Sequence, residues 1–399
     1  MKYVYTLLLS IFILSCSKEI IPSFDLTVTS LPLEGGSSSP SMGKFESGSE
    51  VAITATPNKF YEFSGWTGSY TSKDNPLKIQ IDFETKLIAN FNFLDSDKDG
   101  IPDKDDLDNN TRKGVPVDKS GIMINPIYLD ANGVTIKCFD WATIGDKGEL
   151  NGKVYEVVSE TKLRTLIKSN SDISFICTSK IESLKQLFAN SEFNGDISRW
   201  DVSNVSDMSE LFFRTPFNGN ISNWNLGKVT NMYAMFSYSQ FNGDISKWDV
   251  SNVTWMAELF FGNKNFNSDV SKWQVGKVTN MNGMFARTAF NGDVSNWDVS
   301  QVNNMYFMFT TSPFNGDLSK WNVSNVTNMG SMFAQTKFNK NISNWNVKNV
   351  LQMNGMFSDS PFNQDLSKWD VVKVIDCSEF SRFNYNWTLP KPKFTNCTP

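Results

Sequence analysis

The C-terminal half of the chain repeats itself every 24 residues, and this repeat restricts the possible folds more than any other feature. A Phe-Asn pair begins each unit, and Trp follows seven residues after each Phe. The spacing is 24 residues except for one step of 25. Repeats of this length typically form stacked coils, in which each unit contacts only its neighbours. The Phe positions are Phe193, Phe217, Phe241, Phe266, Phe290, Phe314, Phe338 and Phe362.

Each unit has two halves with different patterns. Asp-Ile-Ser-x-Trp-Asp-Val is short and alternating, which predicts a strand. Val-Thr-Asn-Met-x-x-Met-Phe has apolar residues at i, i+3, i+6 and i+7, which predicts a capped helical turn. We expect the constant columns to form the core and the Asn after each Phe to form a hydrogen-bonded ladder. The sequence therefore predicts an α+β multi-domain protein: a small β-rich N-terminal module, then a leucine-rich-repeat-like solenoid of about eight 24-residue strand/short-helix coils.

The ordered recurrence of Phe-Asn, Ser-x-Trp, Val-Ser-x-Val and Met-x-x-Met-Phe over residues 173–374 resembles the BspA-type leucine-rich-repeat family of bacterial surface proteins. The resemblance implies adhesion to host or matrix proteins, although the units are 24 rather than 26 residues long. It implies an N-terminal cap at 122–180, repeats at 181–380 and a C-terminal cap at 381–399.

The N-terminus has the features of an export signal. Lys2 precedes an apolar run that ends in Leu14-Ser15-Cys16 and is too short to span a bilayer. This ending resembles a bacterial lipobox, which implies a signal peptide at 1–15, lipid attachment to Cys16 and a tether at 16–24. The alternative is an ordinary signal peptide with a chance cysteine. We expect a lipid-anchored protein of the bacterial outer membrane, exposed at the cell surface.

Residues 25–93 are predicted to form the small β module. Residues 51–56, 77–81 and 87–91 alternate with a period of two. The arrangement of Pro57, the segment 61–66 and the closing Ala-Asn-Phe resembles the divergent B-repeat modules of internalin-type surface proteins. Trp66 is either a core residue, which we favour, or a carbohydrate-stacking residue.

Residues 94–121 form an acidic linker. Seven Asp and two Lys lie between positions 95 and 108. The alternating Asp residues followed by Gly100 favour a loop around Ca²⁺, which prefers oxygen ligands. The spacing resembles a thrombospondin type-3 repeat, without its usual Cys. The alternative is a solvated acidic linker. The resemblance implies as ligands Asp95, Asp97, Asp99, the Ile101 carbonyl, Asp103 and Asp106.

Four cysteines remain besides Cys16, and an exported protein can keep disulfides. They form two pairs that are local in sequence, so we predict Cys138–Cys177 and Cys377–Cys397, although four cysteines allow three pairings. Buried free thiols are the alternative.

Aromatic residues in variable columns are the candidate ligand-binding residues, because exposed aromatic clusters mark interaction sites. Packing between adjacent coils is an equal or slightly better explanation for them. They are Phe213, Tyr233, Tyr238, Trp255, Phe261, Tyr306 and Phe307.

Composition narrows the functional class. The chain contains no His and carries a net charge of −5. The missing His removes the commonest general base and zinc ligand, and the negative charge disfavours nucleic acid as a partner. We therefore expect a non-enzymatic binding protein whose partners are an extracellular protein or glycan and, through the lipid, a membrane. The alternative is a structural or scaffold lipoprotein that faces the periplasm.

Overall fold

The computed structural model describes residues 20–399, which divide into two units at Ile124. The predicted signal peptide, Cys16 and the first part of the tether lie outside the described residues. Within residues 20–399, no helix is long and apolar enough to cross a membrane.

Between residues 20 and 124, the first unit contains seven strands. They are β1 (Ser23–Leu31), β2 (Gly36–Ser39), β3 (Met42–Glu46), β4 (Ser49–Pro57), β5 (Tyr61–Gly68), β6 (Leu77–Ile81) and β7 (Thr85–Phe93), with one 3-10 turn at Leu33–Gly35. One sheet has the order β3-β1-β7-β5, in which β1 and β7 are parallel, and the other has the order β2-β4-β6. The residues after Phe93 form loops closed by turns, with one isolated bridge between Val117 and Met123.

Alternating side chains of both sheets form the core of this module. In β4, Val51, Ile53 and Ala55 are buried while their neighbours are exposed. Trp66 is only 1% exposed, and its indole N–H donates to the carbonyl of Asp74 at 2.8 Å. Trp66 is therefore a core residue, as we favoured, and not a free stacking platform.

The second unit begins with a small cap. It contains β8 (Ile127–Leu129), β9 (Ile136–Cys138), β10 (Lys147–Leu150), β11 (Lys153–Val157), α1 (Glu160–Lys168) and β12 (Ile176–Cys177). Helix α1 begins where the Ser159 hydroxyl accepts the N–H of Lys162, and it buries Leu163.

The repeats stack as coils, and one line of parallel bridges joins successive coils. These bridges join Ser183, Asp207, Asn231, Trp255, Asn280, Asn304, Asn328, Gln352 and Asp376 in order. After each of these residues comes a seven-residue stretch, such as 208–214 or 353–359, that we call the stacking segment. In segment 208–214, the N–H groups of Met208, Glu210, Phe212 and Arg214 donate to the next coil.

The predicted α+β solenoid with strand/short-helix coils is wrong. Helix α1 is the only α-helix in residues 20–399, and no strand occurs after β12. Each stacking segment contains two left-handed positions, for example Glu210 (φ 56°) and Arg214 (φ 53°). These positions turn alternate N–H groups toward the next coil, whereas a helix would bond them within the segment. The intervening N–H groups close i to i−3 turns, as in Leu211 to Met208. Successive short turns therefore produce the apolar spacing that resembled a helix.

The constant columns form the core of the array. Trp297 is 4% exposed, and its indole N–H donates to the carbonyl of Val270 in the preceding coil at 3.0 Å. Phe rings stack from coil to coil, with centroids 5.8 Å apart between Phe285 and Phe309. The Asn ladder is confirmed: Asn291 donates its backbone N–H to the Oδ1 of Asn267 at 3.0 Å. This ladder lies at the surface of the array.

Candidate ligand-binding surface and candidate metal centre

Three of the seven candidate aromatic residues form a connected row on the array. The ring of Tyr238 lies edge-to-face with the rings of Phe213 and Phe261, with centroids 6.3 and 5.4 Å apart. Tyr238 is 41% exposed, and Phe213 and Phe261 are half-buried. Successive stacking segments supply these three rings, so coil stacking brings them together.

Two arginines complete this row, and sequence reasoning missed them. The guanidinium of Arg214 lies 5.1 Å from the ring centroid of Phe213 and 5.5 Å from that of Tyr238. Arg287 lies 5.7 Å from the ring centroid of Phe261. Arg214, Tyr238 and Arg287 occupy the same column of the repeat, and this shared column is the sequence feature that could have identified the two arginines. We call Phe213, Arg214, Tyr238, Phe261 and Arg287 the aromatic strip.

Gly262 makes room for the central ring of the strip. It occupies the same column as Tyr238 with φ +70°, and an added Cβ would lie 2.7 Å from the Tyr238 ring. The Tyr238 ring therefore lies over the backbone of the next coil and remains 41% exposed.

The other four candidates lie outside this row. Tyr306 and Phe307 form a separate edge-to-face pair with centroids 4.1 Å apart, and both are half-buried. Trp255 is 44% exposed at the line of bridges. Burial raises the pKa of Tyr233, and the carboxylates of Glu258 and Glu210 raise it further.

Acidic residues accompany the aromatic strip on the same coils. Burial raises the pKa of Glu258, and the charge of Glu210 adds to this effect. Both carboxylates are half-buried at left-handed positions of their stacking segments. The surface therefore combines rings and guanidinium groups with partly desolvated acids.

The recurring Asp column forms local turns. The carboxylate of Asp244 accepts the backbone N–H of Ser246 at 3.0 Å. This bond and the bond from the Ser246 hydroxyl lower the pKa of Asp244. The same turn forms at Asp196, Asp269, Asp293, Asp317 and Asp365.

The acidic linker brings some of its predicted ligands together. Asp95, Asp97 and Asp99 each offer a carboxylate oxygen, and these three oxygens lie within 4.8 Å of one another. Asp103 instead accepts the N–H and hydroxyl of Ser96. The N–H of Ile101 donates to Asp99 Oδ1 at 2.8 Å.

Two carboxylate oxygens in this loop are buried without a hydrogen-bond partner, Oδ2 of Asp99 and Oδ2 of Asp106. The N–H of Asp108 lowers the pKa of Asp106, but desolvation and the charges of Asp99, Asp97 and Asp108 outweigh it and raise the pKa overall. Gly121 approaches so closely that an added Cβ would lie 1.7 Å from Asp106 Oδ1. Buried, unpaired oxygens beside like charges fit a cation site, and an all-oxygen donor set suits Ca²⁺.

Comparison with known families identifies the array. The family described as "Mycoplasma protein of unknown function, DUF285" matches four overlapping segments, residues 155–240, 214–313, 237–337 and 289–388. Together these segments cover more than half of the chain. The chain belongs to the DUF285 family. This agrees with the BspA-like type of repeat that we recognised in the sequence.

The N-terminal module of this DUF285 protein matches the divergent InlB B-repeat domain over residues 26–93, which confirms the predicted resemblance. No curated protein and no solved structure matches the chain. Both matching families are repeat families, which is consistent with a repeat-containing surface protein.

The cysteines of the DUF285 protein follow the prediction in one pair only. Cys377 and Cys397 form a disulfide with Cα atoms 5.8 Å apart, as predicted. The predicted Cys138–Cys177 disulfide is wrong, because both residues are buried free thiols. The neighbouring Cys177 thiol lowers the pKa of Cys138, whereas the Cys138 thiol and burial raise the pKa of Cys177. The Cys177 sulfur also lies 3.4 Å from the Ser179 hydroxyl oxygen.

Proposed function

We propose that this DUF285 protein is a cell-surface binding protein, rather than an enzyme, that presents its repeat array to an extracellular protein or glycan. The observation that carries the proposal is the aromatic strip. Its rings are connected and partly exposed, although the stacking of the coils does not require aromatic residues at these positions.

The repeat columns themselves support this argument. Tyr238 occupies a column whose other members are mainly polar residues or Gly. The coils that carry Thr311 and Gln335 there form the same turns with the same left-handed backbone. The turn at position 238 therefore does not require a ring, and a binding role explains why a partly exposed ring lies there.

The chemistry of the strip suits recognition. Aromatic and Arg side chains contribute most to the affinity of many protein interfaces, and aromatic rings also stack on sugars. Guanidinium groups over ring faces add cation–π attraction and hold the rings in place. A protein or glycan ligand could use the exposed edges of Tyr238 and Phe261 together.

A surface location is part of the proposal. Lipid on Cys16 would anchor the chain to the outer membrane, since two or more acyl chains hold a protein stably. The B-repeat-like module, residues 26–93, would then act as a spacer between the anchor and the array.

The test compares ligand binding by the protein without residues 1–15 and by the double variant Tyr238→Ser, Phe261→Ser. Both are screened against immobilised matrix proteins and a glycan array. Hot-spot side chains contribute about 2 kcal/mol or more, so we expect a loss of affinity of at least about 30-fold. The matched control is Thr311→Ala with Gln335→Ala, in the column of Tyr238.

Equal melting temperatures will show that the variants are folded. Unchanged binding in the aromatic double variant, or an equal loss in the control, would refute the assignment of the strip. A wild-type protein that retains none of these ligands would contradict the binding function itself.

We also propose that the acidic linker holds one Ca²⁺ ion through Asp95, Asp97, Asp99 and Asp106. The ion would satisfy the buried oxygens of Asp99 and Asp106 and cancel the repulsion between these carboxylates. Extracellular calcium modules bind with dissociation constants of about 10⁻⁴–10⁻³ M, so the site would fill outside a cell.

Calorimetry and limited proteolysis of the chain without residues 1–15 test this site. We expect calcium to bind and to protect residues 95–121 from protease, and Asp97→Asn with Asp99→Asn to abolish both effects. Asp105→Asn is the matched control, because Asp105 is exposed and pairs with Lys104. Absence of calcium heat, or equal protection in the double variant, would leave the segment a solvated acidic linker.

A further inference from the structure

The coils have a direction, because each stacking segment donates hydrogen bonds to the coil that follows it. In segment 353–359, alternate N–H groups donate to the carbonyls of Asp376, Ser378, Phe380 and Arg382 at 2.7–2.8 Å. The donors are Met353, Gly355, Phe357 and Asp359. Every stacking segment from 184–190 to 353–359 repeats this arrangement, so the N–H groups of each coil are accepted by the coil that follows it.

The coil that contains residues 377–383 has no such successor within residues 20–399. The equivalent N–H groups belong to Cys377, Glu379, Ser381 and Phe383, and none of them has a hydrogen-bond acceptor within residues 20–399. Cys377 is buried beside its disulfide partner. Glu379 and Phe383 are exposed and Ser381 is half-buried. We call the N–H groups of Glu379, Ser381 and Phe383 the terminal edge.

A cavity of about 450 Å³ lies at the terminal edge. One wall of the cavity comes from the last coil and the other from residues 391–399. Phe394 of this C-terminal segment packs against Phe380 of the last coil. The lining includes Glu379, Phe380, Ser381, Arg382, Lys391 and Phe394. The cavity therefore lies beside the terminal edge, and the C-terminal segment that carries Cys397 leaves this edge open.

The charged side chains that line this cavity are Arg382, Lys391 and Glu379, and Pro399 lines it as well. Arg382 pairs with Glu379 and lies 4.5 Å from the ring centroid of Phe383. The ammonium of Lys391 donates to the Ser381 hydroxyl at 3.0 Å. The structure thus places two cations and one carboxylate beside the unpaired N–H groups, an arrangement that favours a ligand with a carboxylate.

The opposite end of the array is arranged differently, and this argues against a second copy as the occupant. Head-to-tail stacking would need free carbonyls on the first coil. The Arg164 guanidinium of α1 already donates to the carbonyl of Lys185 at 2.9 Å, which is one of the carbonyls that head-to-tail stacking would use. A second copy would therefore have to displace this bond.

We propose that the terminal edge binds a peptide that carries a carboxylate and presents every second carbonyl on one side. The peptide adds to the array as a further coil segment. Its carbonyls accept from Glu379, Ser381 and Phe383, and its carboxylate lies between Arg382 and Lys391. Main-chain bonds at an open edge supply affinity, and side-chain contacts supply specificity. This proposal is independent of the aromatic strip.

The probe is a fluorescent synthetic peptide with the sequence of residues 207–214, which already forms such a segment inside the array and contains two carboxylates. Fluorescence anisotropy measures its binding to the chain without residues 1–15. We expect the double variant Arg382→Gln, Lys391→Gln to bind it at least tenfold more weakly, and Ser381→Pro, which removes the central N–H, to abolish binding. Lys368→Gln is the matched control for charge.

Hydrogen exchange supplies a measurement that does not depend on these variants. In the unliganded protein, the amides of Glu379, Ser381 and Phe383 should exchange much faster than those of Gly355, Phe357 and Asp359. The peptide should slow the first set and leave the second unchanged. Amides of the edge that are protected without peptide would overturn the proposal.

Three other results would also overturn it. One is equal affinity for a peptide with Lys in place of both acids, and another is protection at a different surface. The third is concentration-dependent protection with dimer formation in analytical ultracentrifugation, which would identify a second copy as the occupant.

Discussion

Truncation of one core Trp, Trp297→Ala, should destabilise the array far more than its neighbour Asn296→Ala. Trp297 is 4% exposed, stacks on Trp273 with centroids 6.5 Å apart, and bonds to the carbonyl of Val270. Loss of such a ring costs about 3–5 kcal/mol. The lost hydrogen bond adds only about 1 kcal/mol, because Val270 keeps its bond from the Trp273 N–H.

Two further variants separate the contributions. Trp297→Phe keeps most of the ring burial and loses the indole bond, so we expect a cost of roughly 1–2 kcal/mol. Asn296 is exposed beside it, and its replacement by Ala should change the free energy of unfolding by less than about 0.5 kcal/mol.

Urea unfolding followed by circular dichroism measures the total effect. Because repeat arrays unfold by local steps, hydrogen exchange should locate it in the coils next to Trp297. Equal unfolding midpoints for Trp297→Ala and Asn296→Ala would refute the inward-facing Trp column. Loss of protection spread evenly over the array would refute nearest-neighbour stacking.

Three more predictions concern the backbone, the Asp column and the anchor. Gly355→Ala places a Cβ at φ +61° and 3.0 Å from the Ser331 hydroxyl, so it should lower the free energy of unfolding in urea by about 1 kcal/mol. Ser331→Gly in the same column should lower it by less than about 0.5 kcal/mol, and equal losses would contradict the left-handed column. The column Asp residues have lowered pKa values, so their stabilisation is complete above the ordinary Asp pKa of about 4 and is lost as the pH falls below it. The same turn forms with Asn at positions 220 and 341, so replacing the column Asp residues with Asn should reduce the loss of thermal stability below about pH 4. An unchanged acid transition would show that these carboxylates do not cause this loss. Cys16→Ser should abolish incorporation of labelled palmitate in cells, and a variant that still incorporates it would rule out the lipid anchor.

Side-chain periodicity predicted the parts of the fold that depend on local alternation. The alternating residues 51–56, 77–81 and 87–91 lie in β4, β6 and β7. The constant Trp and Phe columns are buried because identical residues in every unit occupy equivalent sites in a stack. The parallel pairing of β1 with β7 had no local signal, since it joins residues about 60 positions apart.

The backbone of the coils could not be predicted from the same patterns. Left-handed positions usually carry Gly or Asn, but here Glu210, Ala234 and Ser331 occupy them. Their conformation is set by hydrogen bonds to the next coil, which no spacing within one unit reveals. A pattern with apolar residues at i and i+3 is therefore shared by a helix and by these successive turns.

Only part of the candidate surface could be predicted from the sequence. Comparing repeat columns identified the aromatic residues, because a ring in a variable column stands out. Arg214 and Arg287 did not stand out, since a polar residue is expected at an exposed position. Cation–π contacts between neighbouring coils depend on the stacking distance, which only the structure supplies.

The central claim is that the aromatic strip contacts the ligand, and site-specific photocrosslinking on intact cells tests it most directly. A benzoylphenylalanine residue replaces Tyr238 in one strain and Gln335, an exposed member of the same column, in another. We predict that irradiation in the presence of host matrix or glycoprotein crosslinks the chain at position 238 and not at position 335. Equal crosslinking at both positions, or crosslinking at 335 alone, would contradict the account.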